Sequence, residues 1–430
     1  GPMDATVWQR LMSLVGLFAM VGIAWLFSKH RDRVPWKLVG WGVGLQLSFG
    51  VLVMKTDAGR WFFSLLNDLV LALLGFTAQG TEFIFGELAS EKFTIAINVL
   101  PTLIFFSALM TMLYHLGLMQ RVVAGFAWFM RRTMKTSGSE TLATAANTFV
   151  GQTEAPLMVA PFIPKMTMSE LTALMTGGFA TVARGVLAAY VGMLESVVPG
   201  IAGHLIAASV MSAPAALVIA KVMWPETEQS ETADDADVRV ERPDVNLLDA
   251  AARGATDGMK LALNVGAMLI AFIALIALFN ALLGLPFTLY NDWMGLEGAS
   301  AVEPLTLQQI LGWVFSPLAF LVGTPLDECL AVGTLLGEKL VLTEFIAYLH
   351  LYESLAEGDV VFSPRTVVML SYALCGFANF GSIGIQLGGI GGIAPGRRHD
   401  LARLGLRAMF GGMLASLMTA DQGFQPALQS

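Results

Sequence analysis

Eight apolar runs, each long enough to cross a bilayer as a helix, limit what this chain can fold into more than any other feature. They lie near residues 11–28, 36–54, 95–119, 168–195, 201–223, 260–285, 363–392 and 402–420. So many segments of about 20 apolar residues exceed what a water-soluble core can hide, so an all-α polytopic membrane protein is expected. The charge content agrees: 13% of the 430 residues are charged, against about 25% in soluble proteins. No small-residue cleavage site follows the first run, which reads as a retained span and not a leader.

Two further stretches, about 137–165 and 306–350, are apolar only in part and are broken by Gly, Pro, Thr, Asn and Glu. Basic residues decide whether they cross or return, because cytoplasmic loops are enriched in Lys and Arg. With both stretches as re-entrant hairpins, 18 of the 25 bases fall on one face and six on the other, with Arg184 inside a span. Counting either stretch as a single crossing flips every later loop and removes the asymmetry. The expected fold is therefore eight transmembrane helices plus two re-entrant hairpins, with both termini extracytoplasmic. The first hairpin then enters from the cytoplasm and the second from outside.

The net charge of −8 is mostly local: residues 225–246 hold eight acids and two bases. That segment reads as a solvated cytoplasmic linker, so the acidic balance says nothing about substrate. An interfacial helix is expected over 247–259, and another on the outer face over 61–76. The resulting division is scaffold helices over 1–135, a first transport repeat over 136–223, the linker over 224–246, an interfacial helix and scaffold span over 247–305, and a second transport repeat over 306–430. Cys329 and Cys375 have no spacing partners for a metal, and five scattered histidines give metal catalysis no footing.

The two halves share a pattern. Thr153-Glu154 in the first hairpin is followed by Gly178-Phe179-Ala180, and Thr343-Glu344 in the second by Gly376-Phe377-Ala378. With opposite entry faces, this fits two inverted repeats, the architecture of secondary transporters. Hairpins that stop midway leave open backbone groups, tolerated only where they are buried in protein or line a watery cavity. The tips should then meet near the midplane and hold something polar. A carboxylate at that depth costs about 2.5–3.5 kcal/mol, so Glu154 and Glu344 need partners, with Lys339 one neighbour. The run Gly388-Gly389-Ile390-Gly391-Gly392 follows no strand and reads as close helix packing, not a phosphate loop. An intramembrane enzyme using Glu154 and Glu344 would lack further catalytic groups, and a passive channel would need a continuous polar pore.

Through GQTEAPL (151–157), GEKLVLTEFIAY (337–348) and GFANFGSIGIQLGGI (376–390), the chain resembles the concentrative nucleoside transporters over about residues 5–420. The resemblance implies cation-coupled nucleoside uptake by an elevator movement in a homotrimer of a bacterial inner membrane, with no nucleic-acid partner. It implies that Gln152, Thr153 and Glu154 contact the nucleobase, with Leu157 and Val186 packing near it. Glu344, Asn379 and Ser382 would hold the ribose hydroxyls, with Phe377 alongside. For the cation it points to Asn147, Val150, Thr181 and Val182. Asn147 and Thr181 cannot titrate, which favours sodium, with proton coupling as the alternative. Two departures stand out. Thr343 replaces the Asn usual before the second-hairpin Glu, and Arg184 stands beside the cation segment where a small residue is expected.

Overall fold

The computed structural model describes residues 7–91, 94–182, 184–233, 244–296, 298–358 and 361–421, and every regular element among them is helical. Helices α1 (Val7–Leu26) and α2 (Trp36–Lys55) occupy the first two apolar runs. Helix α3 (Asp57–Phe85) starts at Thr56, whose Oγ1 accepts the Gly59 N–H at 3.0 Å. At 29 residues it outgrows the interfacial helix expected over 61–76 and is long and apolar enough to cross a membrane. The short α4 (Leu88–Glu91) precedes α5 (Leu100–His115). Helix α6 (Leu118–Met134) buries Val123, Ala127, Met130 and Met134, the spacing of one helical edge.

The first hairpin descends as α7 (Gly138–Asn147), buried along its whole length. Its return arm is no second α-helix but two short 3₁₀ turns, Ala155–Val159 and Ile163–Lys165, each opened by a proline. The run at 168–195, expected as one span, is two helices: α8 (Met168–Ala180) and α9 (Arg184–Leu194). Thr181 leaves α8 in extended backbone, φ −120° and ψ 164°. Helix α10 (Ile201–Met223) closes the first repeat, buried at nearly every residue.

Helix α11 (Leu247–Met294) runs unbroken for 48 residues, about 72 Å at 1.5 Å per residue. The interfacial helix expected over 247–259 is thus continuous with the span at 260–285. Its small residues lie close against α5: an ideal Cβ on Gly254 would lie 2.7 Å from Ala108 Cα, and one on Gly258 2.6 Å from the Leu103 carbonyl. Those glycines let α11 lie directly on α5, as small residues do between membrane helices. The stretch expected as a simple hairpin over 306–350 holds three helices: α12 (Leu307–Leu321), α13 (Cys329–Val341) and α14 (Glu344–Glu357). Gly333 packs against Gly312, Phe315 and Ser316, and Gly337 against Leu311, so α12 and α13 are antiparallel. The second break sits at Leu342–Thr343. The run at 363–392 is likewise split, into α15 (Pro364–Ala373) and α16 (Phe380–Ile393), before α17 (Arg398–Ala420).

The same order of parts recurs over α5–α10 and α11–α17: two helices, a broken stretch, a split helix and a final helix. The two copies meet where α8 and α10 pack on α17; a Cβ on Gly412 would lie 2.4 Å from Phe179 Cβ.

The acidic linker needs correction at its near end. Residues 224–232 fold back over the N-termini of α7 and α8. The Thr232 carbonyl accepts the Gly138 N–H at 2.8 Å, and Thr232 Oγ1 accepts the Ser139 N–H at 3.1 Å. Glu170 accepts from Ser137 Oγ at 2.6 Å and from Ser230 Oγ, while Lys221 and Glu140 form a buried ion pair beside them. Residues 234–243 of the expected linker lie outside the described residues.

Candidate functional site

Both splits expose helix ends inside the protein, and the two touch. Gly376, at φ +110°, has no room for a side chain: a Cβ there would lie 2.9 Å from backbone atoms of Phe179 and Ala180. The two Gly-Phe-Ala motifs thus mark the two breaks, one backbone pressed on the other.

Glu344 opens α14 and is buried. Thr343, the N-cap, takes the Ile346 N–H on its Oγ1 at 3.3 Å, so this departure from the family pattern is accommodated as a capping residue. The Glu344 carboxylate accepts from Tyr190 O–H on Oε1 at 2.9 Å and from Asn379 Nδ2 on Oε2 at 2.9 Å. Asn379 is itself the N-cap of α16, its Oδ1 holding the Ser382 N–H at 2.9 Å. Two half-helix N-termini therefore converge on one carboxylate, which their dipoles favour. Lys339, fully buried, interacts with that acid through charge and spends its hydrogen bonds elsewhere. Its ammonium donates to the carbonyls of Ala373 at 2.8 Å and Cys375 at 3.0 Å, which the end of α15 leaves open.

At the first hairpin tip Gln152 is buried, Thr153 half-buried, and Glu154 and Leu157 are exposed. Glu154, expected to lie at depth with partners, has an open face at the tip and hydrogen-bond partners in Thr153 and the backbone at Gly151. Val186 is buried in α9 and Phe377 half-buried in the second break. Gln386, to which no role was assigned from the sequence, is buried on α16, and its side-chain nitrogen donates to Gln152 Oε1 at 3.0 Å. Each broken stretch is thus held by the other half of the chain: Glu344 by Tyr190 of α9, Gln152 by Gln386 of α16. Neither Tyr190 nor Gln386 stands out in its apolar run; the only signal was polarity without a nearby sequence partner. Of the expected glycine packing in α16, Gly389 shows it, with a Cβ position 3.2 Å from Thr153 Cγ2.

The residues expected to bind the cation lie where α7 ends and α8 breaks. Asn147 is the last residue of α7 and buried, and neither of its side-chain polar atoms has a hydrogen-bond partner. Thr181 Oγ1 donates to the Gly177 carbonyl at 2.8 Å, leaving its lone pairs free. Val150 and Val182 are buried in non-helical backbone. Neutral oxygens at a helix C-terminus suit a hard monovalent cation. Among the described residues no group of three His, Cys, Asp or Glu could hold a metal ion. The Arg184 side chain lies outside the described residues.

Three family models match the chain: "Na+ dependent nucleoside transporter" N-terminus over residues 15–88, "Nucleoside recognition" over 96–197, and "Na+ dependent nucleoside transporter" C-terminus over 204–422. The chain is 44% identical to the uncharacterized transporter YutK of Bacillus subtilis, covering 95% of this chain and 98% of that one. It is 41% identical to the mouse sodium/nucleoside cotransporter 1, across 96% of this chain but 63% of the longer mouse protein. Among solved structures, CNTnw in an inward-facing substrate-bound state superposes with a TM-score of 0.87 at 42% identity, covering 96% and 97% of the two chains. A CNTnw variant in an outward-facing state gives 0.88 at 42% identity, with 97% of each chain covered.

Proposed function

This chain belongs to the Na+ dependent nucleoside transporter family, and from that premise we propose that it imports uridine-like nucleosides as a sodium-driven secondary active symporter. Its relatives are transporters, not enzymes, and sodium is the family's coupling ion. The observation that carries the reading is Glu344, a buried carboxylate gripped by Tyr190 and Asn379 where the two repeats meet. An ionised carboxylate is a strong acceptor for hydroxyls in a low-dielectric site. Glu344 with Asn379 and Ser382 takes the ribose, while Gln152, Thr153 and Glu154 take the base. Leu157, Val186 and Phe377 pack around the substrate. A sugar missing a hydroxyl would leave buried polar groups unpaired, which is how such sites discriminate.

Sodium is held at Asn147, Thr181 and the backbone of Val150 and Val182. Support for that placement is chemical: Asn147 has a buried amide with no protein partner. A tenfold sodium gradient supplies about 1.4 kcal/mol and 100 mV adds about 2.3 kcal/mol per charge. One ion per nucleoside would then sustain accumulation of several hundredfold. We read the two half-structures as inverted repeats, the hairpins and split helices moving as one unit against α5 and α11 in an elevator cycle. The relative CNTnw is known in inward-facing, outward-facing and intermediate states. The assembly is a homotrimer, and the setting a bacterial cytoplasmic membrane.

Radiolabelled uridine uptake into proteoliposomes tests the reading, with an inward sodium gradient against equimolar choline at matched pH. Accumulation above equilibrium in sodium alone is expected. Equal uptake in both points to protons or to passive transport and removes sodium from the cycle.

A further inference from the structure

The breaks after α8 and after α15 differ in how their polar groups are matched. Where α15 ends, the Ser371 carbonyl accepts Tyr348 O–H at 2.7 Å. The Cys375 carbonyl accepts from Ser416 Oγ at 2.8 Å and from Lys339 Nζ at 3.0 Å, and the Ala373 carbonyl accepts from the same ammonium at 2.8 Å. Lys339 stands in the last turn of α13 and is fully buried. An ammonium at such depth is costly unless something fixed answers its charge. Carbonyls at the C-terminal end of a half-helix do so, because they carry the negative end of its dipole.

The break after α8 has a similar layout around a neutral side chain. Asn147 ends α7, much as Lys339 stands in the last turn of α13. An ideal Cβ on Gly177, the residue before Gly178-Phe179-Ala180, would lie 3.2 Å from Asn147 Nδ2. Cys375, whose carbonyl Lys339 holds, has the matching place before Gly376-Phe377-Ala378. The ammonium is thus paired with backbone oxygens at one break. At the other the Asn147 amide is buried with no hydrogen-bond partner, as is Thr148 Oγ1 next to it in the chain.

Resting on the sodium reading of the break after α8, we propose that the Lys339 ammonium is a tethered cation, standing at the break after α15 where the first repeat takes an exchangeable one. Replacing it with a neutral amide would then open a second alkali-cation site. Its ligands are the carbonyls of Ala373 and Cys375 and the introduced amide oxygen, the neutral oxygens that hard cations take. The ammonium also acts on the Glu344 carboxylate through charge, so an ion held in its place would preserve that attraction.

Thermal unfolding in detergent tests this without nucleoside, in sodium, potassium and choline chloride at equal ionic strength. An ion that binds the folded state raises its stability by mass action. Lys339→Gln is expected to melt lower than its parent in choline. It should gain about 2 °C more than its parent per tenfold rise in sodium or potassium. Lys339→Arg keeps a tethered cation and should show no such gain. In an Asn147→Leu background, where the first ion is lost, adding Lys339→Gln should bring an alkali-ion effect back. A Lys339→Gln protein that responds to these ions no more than its parent, or is equally unstable in all three salts, overturns the proposal. A sodium effect that Asn147→Leu leaves intact faults the ion site read at the break after α8, an outcome separate from the comparison of Lys339→Gln with its parent.

Discussion

Glu344 is the buried carboxylate on which the proposed substrate site turns. Both its oxygens are occupied by donors, Tyr190 O–H and Asn379 N–H, so an amide in its place keeps an acceptor for Asn379 and must donate to the Tyr190 hydroxyl, losing the charged acceptor proposed for the ribose. Glu344→Gln is expected to abolish uptake while changing the melting temperature in detergent little, because the variant also removes a costly buried charge. Uptake at the unaltered level would remove Glu344 from the site. Tyr190→Phe is the complementary change. It keeps the ring against Phe345 and Tyr348, at centroid distances of 5.5 and 4.5 Å, but strands one carboxylate oxygen. A stability loss of about 1–3 kcal/mol and weaker nucleoside binding are expected from thermal unfolding with and without uridine. Glu344, Asn379 and Ser382 could be singled out from the sequence because they are polar at visible breaks. Tyr190 and Gln386 could not, because their roles depend on contacts 154 and 234 residues away.

Whole elements were harder to read where packing overrode local pattern. The split between α15 and α16 announces itself through Gly376 and Asn379. The split after α8 begins at Thr181, just past Gly178-Phe179-Ala180, whose three residues are still helical, and the backbone of Gly376 presses on it there. Conversely, residues 247–259 read as a separate interfacial helix, yet they continue into the span as one helix whose Gly254 and Gly258 dock on α5. The return at 224–232 was missed because its Ser, Thr and Glu content is also that of a solvated linker. Here those side chains accept from or donate to the open ends of α7 and α8. The buried pair Lys221–Glu140 ties α10 to the first hairpin within this cluster. Lys221→Met strands a buried carboxylate and is expected to lower stability by about 3–5 kcal/mol. Lys221→Met combined with Glu140→Leu should recover most of that in thermal unfolding. Equal losses in the single and double variants would mean that the pairing itself matters less than the hydroxyl network around it.

At the scale of the whole molecule the two repeats contribute unequally. Residues assigned to the substrate come from both hairpins and both split helices, whereas those assigned to sodium come only from the first repeat. Asn147 and Val150 sit on the same tip as Gln152 and Thr153, so an ion bound as proposed would order the groups proposed to read the base. Such coupling is reciprocal for binding free energies: the factor by which sodium tightens nucleoside binding must equal that by which nucleoside tightens sodium binding. Because ligand binding to the folded state raises its stability by mass action, melting curves across a grid of sodium and uridine concentrations yield both factors. They are expected to agree, and to reach at least about fivefold, the lower end of ordinary coupling. In Asn147→Leu both should fall toward one together, while the uridine-to-cytidine ratio stays close to that of the unaltered protein. If base preference collapsed with the sodium effect, the tip would act as a single undivided site. If the sodium effect survived, the ion would bind elsewhere and Asn147 would need another partner for its buried amide.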